Sequence, residues 1–543
     1  MVRTDVAAAK LAPTSEGGCA MSATQTQPAD TVRNGRGPVR FVDTSLRDGN
    51  QSLWGAIGLT TGMVEALGQA IDRAGYHALD FTSSTNLSMG VKFHQENPWE
   101  RISRMRAVTP DTQLSAITPG MRFMSWEKSP ETVMRMALRL MARHGVRRLQ
   151  VADPMNDADA VERVSRWAKE EGINHVVAAL TFTDSPVHTD DSYTENLDRF
   201  VADGNIDAVY LKDPGGLLTV ERTRSLIPKL RAGAGDTTLE LHSHCTTGTA
   251  SELYVVAAEL GVDVLHTGLG PLSNGTAQPS IEQLVKNLDA VGIDYALDLD
   301  AVKEAAEILR EIASSQGLEP GRPTEFDLSP HQHQVPGGMM STLKRQLDEI
   351  KMVDALPEVI DEVKAVRREI GYPIMVTPFS QFVGSQSLLN VMAVRNGQER
   401  YSRIPDEVMH FVLGHYGTPA GAIAPEVAAK VEASSRAAQL SAEPTPVTVD
   451  ELQAEYAERL GRSMDEEELL LRVVLPSEQV EAMRAAGPAP TWSPGGVDAP
   501  VTNPAQFIKA VQDLPGWRHL AVHKNGQRVE LQRTSEPPTG APQ

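Results

Sequence analysis

Eight short apolar or β-branched runs, each followed by a longer amphipathic segment, constrain the fold of this chain more than any other feature. The runs are RFVDTS at residue 40, ALDFTSS at 78, QLSAITP at 113, RRLQVAD at 147, HVVAALTF at 175, AVYLKDP at 208, TLELHSH at 238 and VDVLHTG at 262. This alternation is the pattern of βα units in a parallel sheet. Eight units in about 250 residues predict an α/β chain closed into a (β/α)8, or TIM, barrel. The intervening segments, such as TTGMVEALGQAIDRAGY and ETVMRMALRLMARHG, read as the outer helices, the second ending on a glycine suited to a helix C-terminus.

The barrel is expected over residues 39–300. Residues 1–38 are rich in Ala, Thr, Ser, Gln and Gly and lack the apolar core of a secretory signal, so they read as a disordered leader; Met21 offers an alternative start. A helical domain is expected over 301–435, carried by DAVKEAAEILREIASSQ and LPEVIDEVKAVRREIG. A linker and small helical unit follow over 436–486, then a flexible segment and a short hairpin over 487–543, where Asn-Gly separates two strand-like runs. The hairpin reads equally as a docking element or a remnant. A formal net charge of -20 argues against affinity for nucleic acid or anionic membrane, and no apolar run is long enough to span a bilayer. The two cysteines, Cys19 and Cys245, exclude a disulfide framework or a four-cysteine zinc site and fit a reducing, cytoplasmic setting.

A barrel of this kind carries its chemistry at the carboxyl ends of its strands. Polar residues gather there: Asp43, Ser83, Thr118, Asp153, Thr181, Lys212, His242, His244, His266 and Thr267. His242 and His244 are two apart on a strand, so both imidazoles face one side, a start for zinc, cobalt or manganese. The sixth strand puts Lys212 beside them, and the first strand brings Asp43 within reach. Lys212 has two readings, because a buried ammonium is costly unless paired or altered. It either forms a salt bridge, for example with Asp213, or is carbamylated to a carboxylate-like metal ligand. Asp43 then adds a further oxygen. Arg47 and Asp48 also read as an ion pair at the barrel rim, and Cys245 as a packed thiol.

Six motifs in order, FVDTSLRDGNQS, VYLKDPGG, LHSHCTTG, SNGTAQPS, HQVPGGMMS and VTPFSQFVGSQ, resemble the carboxyltransferase family of biotin-dependent enzymes. That family includes the carboxyltransferase part of pyruvate carboxylase, the oxaloacetate decarboxylase alpha subunit and the matching subunit of transcarboxylase. The resemblance implies transfer of a carboxyl group between carboxybiotin and a small organic acid. It also implies a metal on Asp43, carbamylated Lys212, His242 and His244, with Thr276 shuttling a proton and Gln51 and Arg47 near substrate. RDGNQ and the His-x-His pair are shared with metal-dependent lyases and synthases of the same superfamily. A biotin-independent C-C lyase or decarboxylase is therefore the alternative, and Lys212 weighs against it.

Two motifs depart from the family pattern. TSSTNLS (82–88) stands where pyruvate-using members carry Trp-Gly-Gly-Ala-Thr-Phe-Asp, and Pro119 stands where an arginine holds the keto acid's carboxylate. Proline provides neither charge nor donor. Arg122 is the nearest substitute, and the acceptor is left open. No Ala-Met-Lys-Met biotinylation motif or Gly-rich ATP-binding region occurs in the sequence. The expected partners are thus a separate biotin carboxyl carrier protein and a biotin carboxylase subunit, with a homodimer implied by the resemblance.

Overall fold

The computed structural model describes residues 36–124, 129–335, 337–440, 446–493, 519–524 and 527–532. Eight parallel strands close into a barrel in sequence order: β1 (Arg40–Asp43), β2 (Ala78–Ser83), β3 (Gln113–Thr118), β4 (Val146–Val151), β5 (His175–Thr181), β6 (Ala208–Asp213), β7 (Thr238–Ser243) and β8 (Val264–Thr267). Each falls on one of the eight apolar runs. The strands are buried on both faces, by helices outside and packed side chains within, which is why they read as near-continuous apolar segments.

The outer core lies between strands and helices, with Phe41, Leu79, Leu149, Leu211 and Leu241 pointing outward onto Leu67, Ile71, Leu138 and Leu253. The lumen is unusually polar. Below a small apolar layer of Ile117, Val177, Ala179 and Tyr210 sits Arg148, fully buried and paired with Glu240 at 2.5 Å. Such a pair costs desolvation, which the attraction between the two charges offsets.

Helices dominate after β8. Leu299–Gln316 packs on Thr61–Ala74 and joins the barrel's own core through Ala305, Ala306 and Leu309. Residues 335–427 build a second core around Val359, Val363, Phe379, Phe382 and Phe411. The helix Glu466–Val474 returns to the barrel, burying Leu469, Leu470 and Leu471 in the first core while Glu466 pairs with Arg139 and Arg143. Strands β9 (His519–Lys524) and β10 (Gln527–Gln532) pair antiparallel, as a hairpin should. Residues 1–35 of the leader, Cys19 among them, and most of 487–543 lie outside the described residues, while Arg36 pairs with Asp263 at 3.0 Å.

Candidate metal centre and active cavity

The chain leaves β1 in a helical turn, Ser45–Gly49, that runs on into Asn50–Trp54. A Cβ on Gly49 would stand 2.5 Å from the Leu272 carbonyl oxygen, so only glycine lets this turn press against the loop after β8. The turn decides which carboxylate reaches the barrel mouth. Asp43 ends β1 and folds back on its own loop, accepting from the Ser45 amide at 3.1 Å and the Ser45 hydroxyl at 2.8 Å. Burial pushes its carboxyl up to about 7, against those bonds. Asp43 is therefore not with the histidine pair, and its expected place as a ligand is corrected: the carboxylate there is Asp48. The helical turn swings Asp48 over the mouth, a displacement that a strand-end rule misses.

Asp48 Oδ2 lies 3.0 Å from His242 Nε2 and 3.3 Å from His244 Nε2, and the two Nε2 atoms are 3.3 Å apart. Three ligand atoms about 3.4 Å apart is what a tetrahedral ion with bonds near 2.1 Å requires. The surrounding hydrogen bonds fix the lone pairs. Glu240 Oε2 accepts from His266 Nε2 at 2.8 Å, so His266 Nδ1 accepts from His242 Nδ1 at 3.2 Å, and His242 Nε2 is left unprotonated. His244 Nδ1 donates to the Thr276 carbonyl oxygen at 2.6 Å, which turns His244 Nε2 toward Asp48; against burial, Asp48 raises this imidazole above its ordinary value. Gln278 Nε2 donates to both Asp48 Oδ2 and His242 Nε2 at 3.1 Å. Outer hydrogen bonds of this kind orient metal ligands. Burial opposes ionisation of Asp48, but Arg47 and His244 overcome it and hold the carboxyl well below its ordinary value. The residues present thus fit a divalent ion.

Lys212 is paired in register with His242 and lines the same cavity as Asp48 and His244. The salt-bridge reading fails: Lys212 forms no ion pair among the described residues. Asp213 turns the other way, accepting from the Leu217 and Leu218 amides at 2.8 and 2.9 Å and from Ser243 Oγ at 2.8 Å. Burial, aided by Arg47, pulls the Lys212 ammonium down to about 8. Arg47 does pair with Asp48, at 3.3 Å, and with Asp80 through Nε at 2.8 Å, while still facing the cavity. Gln51 also lines the cavity, and its Oε1 is buried without a partner among the described residues. Thr276 is not among the residues lining the cavity; its exposed hydroxyl donates, at 2.8 Å, to the carbonyl oxygen of Ser52, which does line it. Cys245 is packed, its thiol pushed up to about 12 by burial.

The cavity above these residues measures about 880 Å³. Its near wall includes Ser83, Ser84, Thr85 and Pro119, the positions that depart from the family pattern. Its far wall comes from the helical region, through Arg345, Gln346, Met375, Thr377, Ser380 and Gln381; the last three fall within VTPFSQFVGSQ, which carried the resemblance but was assigned no site residue. Arg122 does not line it. Its guanidinium stacks 4.5 Å over the Tyr416 ring and donates to the Pro119 carbonyl oxygen at 3.3 Å, so it does not stand in for the missing arginine.

A closed barrel whose mouth sets a His, His, Asp cluster able to hold a divalent ion under a large cavity has the architecture of a barrel enzyme. Comparison with known proteins narrows this. Residues 38–309 match the family model described as HMGL-like, and residues 331–510 that described as the conserved carboxylase domain. The chain is 30% identical over 500 residues to a pyruvate carboxylase subunit of Methanothermobacter thermautotrophicus, covering 91% of this chain and 84% of that one. It is 30% identical over 451 residues to the 2-oxoglutarate carboxylase large subunit of Hydrogenobacter thermophilus, covering 82% and 68%. The carboxyl transferase domain of Rhizobium etli pyruvate carboxylase, solved with oxamate and biotin, shares the fold with a TM-score of 0.73 at 22% identity, covering 84% of this chain and 78% of that one. The chain belongs to the biotin-dependent carboxyltransferase family and is a carboxyltransferase of the pyruvate carboxylase type. The biotin-independent lyase reading is not favoured.

Proposed function

We propose that this chain moves a carboxyl group from the carboxybiotin of a separate carrier protein to a small organic acid, using a divalent metal on Asp48, His242, His244 and carbamylated Lys212. The observation that carries this is the convergence of Asp48 with the Nε2 atoms of His242 and His244 beside an unpaired Lys212. A lysine near 8 exposes a free amine at mildly alkaline pH. That amine can add carbon dioxide, forming an N–C bond and releasing one proton. The carbamate anion then replaces a buried ammonium that has no counter-ion. A metal held there supplies Lewis acidity for the negative charge that develops on the acceptor.

The chain's own residues do the rest. Gln51, with an unmet acceptor, and Arg47, fixed by Asp80, position the acceptor over Asp48. Thr276 relays the proton that the acceptor carbon loses to the biotin nitrogen from which the carboxyl group departed. Its exposed position beside Ser52 suits a carrier-borne ring entering from solvent. Two relatives at equal identity are named for different keto acids, so the acceptor is set by the cavity wall rather than by the family. Arg345 faces the cavity with no carboxylate partner among the described residues and is the cation positioned to meet an acidic acceptor. The chain acts as a subunit alongside a biotin carboxylase and as a homodimer in the cytoplasm; among the described residues no helix is long and apolar enough to cross a membrane.

The test is to purify the tagged chain from its host under mild crosslinking and probe with streptavidin. A biotinylated carrier in the eluate and absent from an untagged control supports the reading. Its absence, with carrier present in the lysate, overturns it.

A further inference from the structure

The amino-terminal end of the barrel, opposite the active cavity, holds a second cluster. His77 immediately precedes β2, His175 opens β5, and Glu240 is the third residue of β7, on the same inward face as His242. One ligand atom from each of the three residues lies within 4.8 Å of the others. Two polar atoms in this group are unaccounted for. Glu240 is fully buried; its Oε2 takes Arg148 and His266, yet its Oε1 has no hydrogen-bond partner. His175 Nε2 is likewise buried and unpartnered. A buried polar atom left unmet carries a full desolvation cost, and Glu240 Oε1 and His175 Nε2 place two such costs within one three-residue cluster, which a bound ligand would relieve.

We propose that His77, His175 and Glu240 form a second site for a divalent transition metal, which ties β2, β5 and β7 together across the floor of the barrel. Two imidazoles and one carboxylate suit zinc, cobalt or nickel, with water completing the shell. Both rings are half-buried at the lower mouth, which gives the ion a path in, and donors that lie within 4.8 Å of one another can close on a bound ion. Burial, working against Glu240, holds His77 at about 4, and burial with Arg148 also lowers His175, so both rings keep a lone pair at neutral pH. Three cations face the cluster: Arg40, Arg148 and, beside His175, Lys169, which is paired with Asp207. Arg148 is met by Glu240, and Arg40 lies 3.3 Å from His77 Nδ1. Arg40 makes this the weaker of the two sites. Residues at this end of a barrel serve stability rather than catalysis, so the ion is structural.

Chelator-stripped full chain is titrated with cobalt(II), following visible absorbance and bound metal by elemental analysis. The wild type should bind two equivalents, one tighter than the other. His175→Ala should lose the weaker equivalent while keeping the tighter one and its turnover; His242→Ala should keep the weaker one, with a cobalt-dependent rise in melting temperature. His77→Ala repeats the first result should His175→Ala fold poorly. A single equivalent in the wild type overturns the proposal, as does wild-type cobalt binding by both His77→Ala and His175→Ala. Because the readout is metal stoichiometry, failure here is separate from failure of carboxyl transfer.

Discussion

Asp43→Asn and Asp48→Asn separate the two carboxylates that follow β1, and the structure assigns them opposite outcomes. Asp43 is buried at 0% exposure with its carboxyl raised to about 7 from the ordinary 3.8. Between those values the unfolded chain has released a proton that the folded chain retains. The stability this group contributes is therefore complete below about pH 4 and lost as pH rises through about 7. At 1.36 kcal/mol per pH unit, the accumulated cost is about 2 kcal/mol at about pH 5.5 and about 4 kcal/mol at about pH 8.5. An asparagine side chain at this position does not ionise and can still accept from the Ser45 amide. Relative to wild type, Asp43→Asn should thus gain about 2 kcal/mol in stability between those two pH values, read by urea unfolding, and should keep its full metal content. Asp48→Asn should show no such gain and should lose the metal. Metal lost by Asp43→Asn and retained by Asp48→Asn would refute the assignment, and a flat stability difference would refute the account of Asp43.

Other outcomes follow from the same geometry. Lys212→Ala should lower metal content, and restoration of binding by a short carboxylic acid would mark the lost ligand as carbamate; unchanged stoichiometry would rule out ligation. Thr276→Ala should cut kcat by about 100-fold or more with metal intact, and Thr276→Ser should recover most of it, since a relay needs only the hydroxyl; retained turnover in the alanine variant would dismiss the relay. His266→Leu breaks the Glu240, His266, His242 chain and should weaken metal binding about 10-fold to 100-fold, measured by chelator competition. Arg345→Ala should raise KM for the acceptor about 10-fold with kcat little changed, the loss of one charged hydrogen bond; an unchanged KM would place the acceptor elsewhere.

The barrel was legible because strands buried on both faces leave eight unbroken apolar runs, and no other regular fold absorbs eight βα units in that length. The His242 and His244 pair was legible because strand periodicity alone puts them on one face. Asp48 was not. From the sequence it reads as Arg47's partner, and only the helical turn after β1, close-packed through Gly49 against the Leu272 carbonyl, shows that it also reaches the imidazoles. The relay through His266 and Glu240 joins adjacent strands whose register the sequence does not state. The far wall of the cavity, Arg345 and residues 375–385, comes from a separately cored helical region, so its approach to the barrel is a tertiary fact without local signature. Arg122 shows the converse: proximity in sequence to Pro119 made it the natural substitute, and stacking on Tyr416 takes it away.

The central claim is tested most directly by following the carboxyl group itself. A biotin carrier protein carboxylated from radiolabelled bicarbonate is mixed with the metal-loaded chain and a panel of 2-oxo acids and acyl thioesters, the products are reduced with borohydride so that a labelled β-keto acid is trapped as its hydroxy acid, and acid-stable label is counted. Label should move from the carrier into at least one acceptor with the wild type and stay behind with Asp48→Asn. No acid-stable label with any acceptor, or equal transfer by Asp48→Asn, would contradict the account.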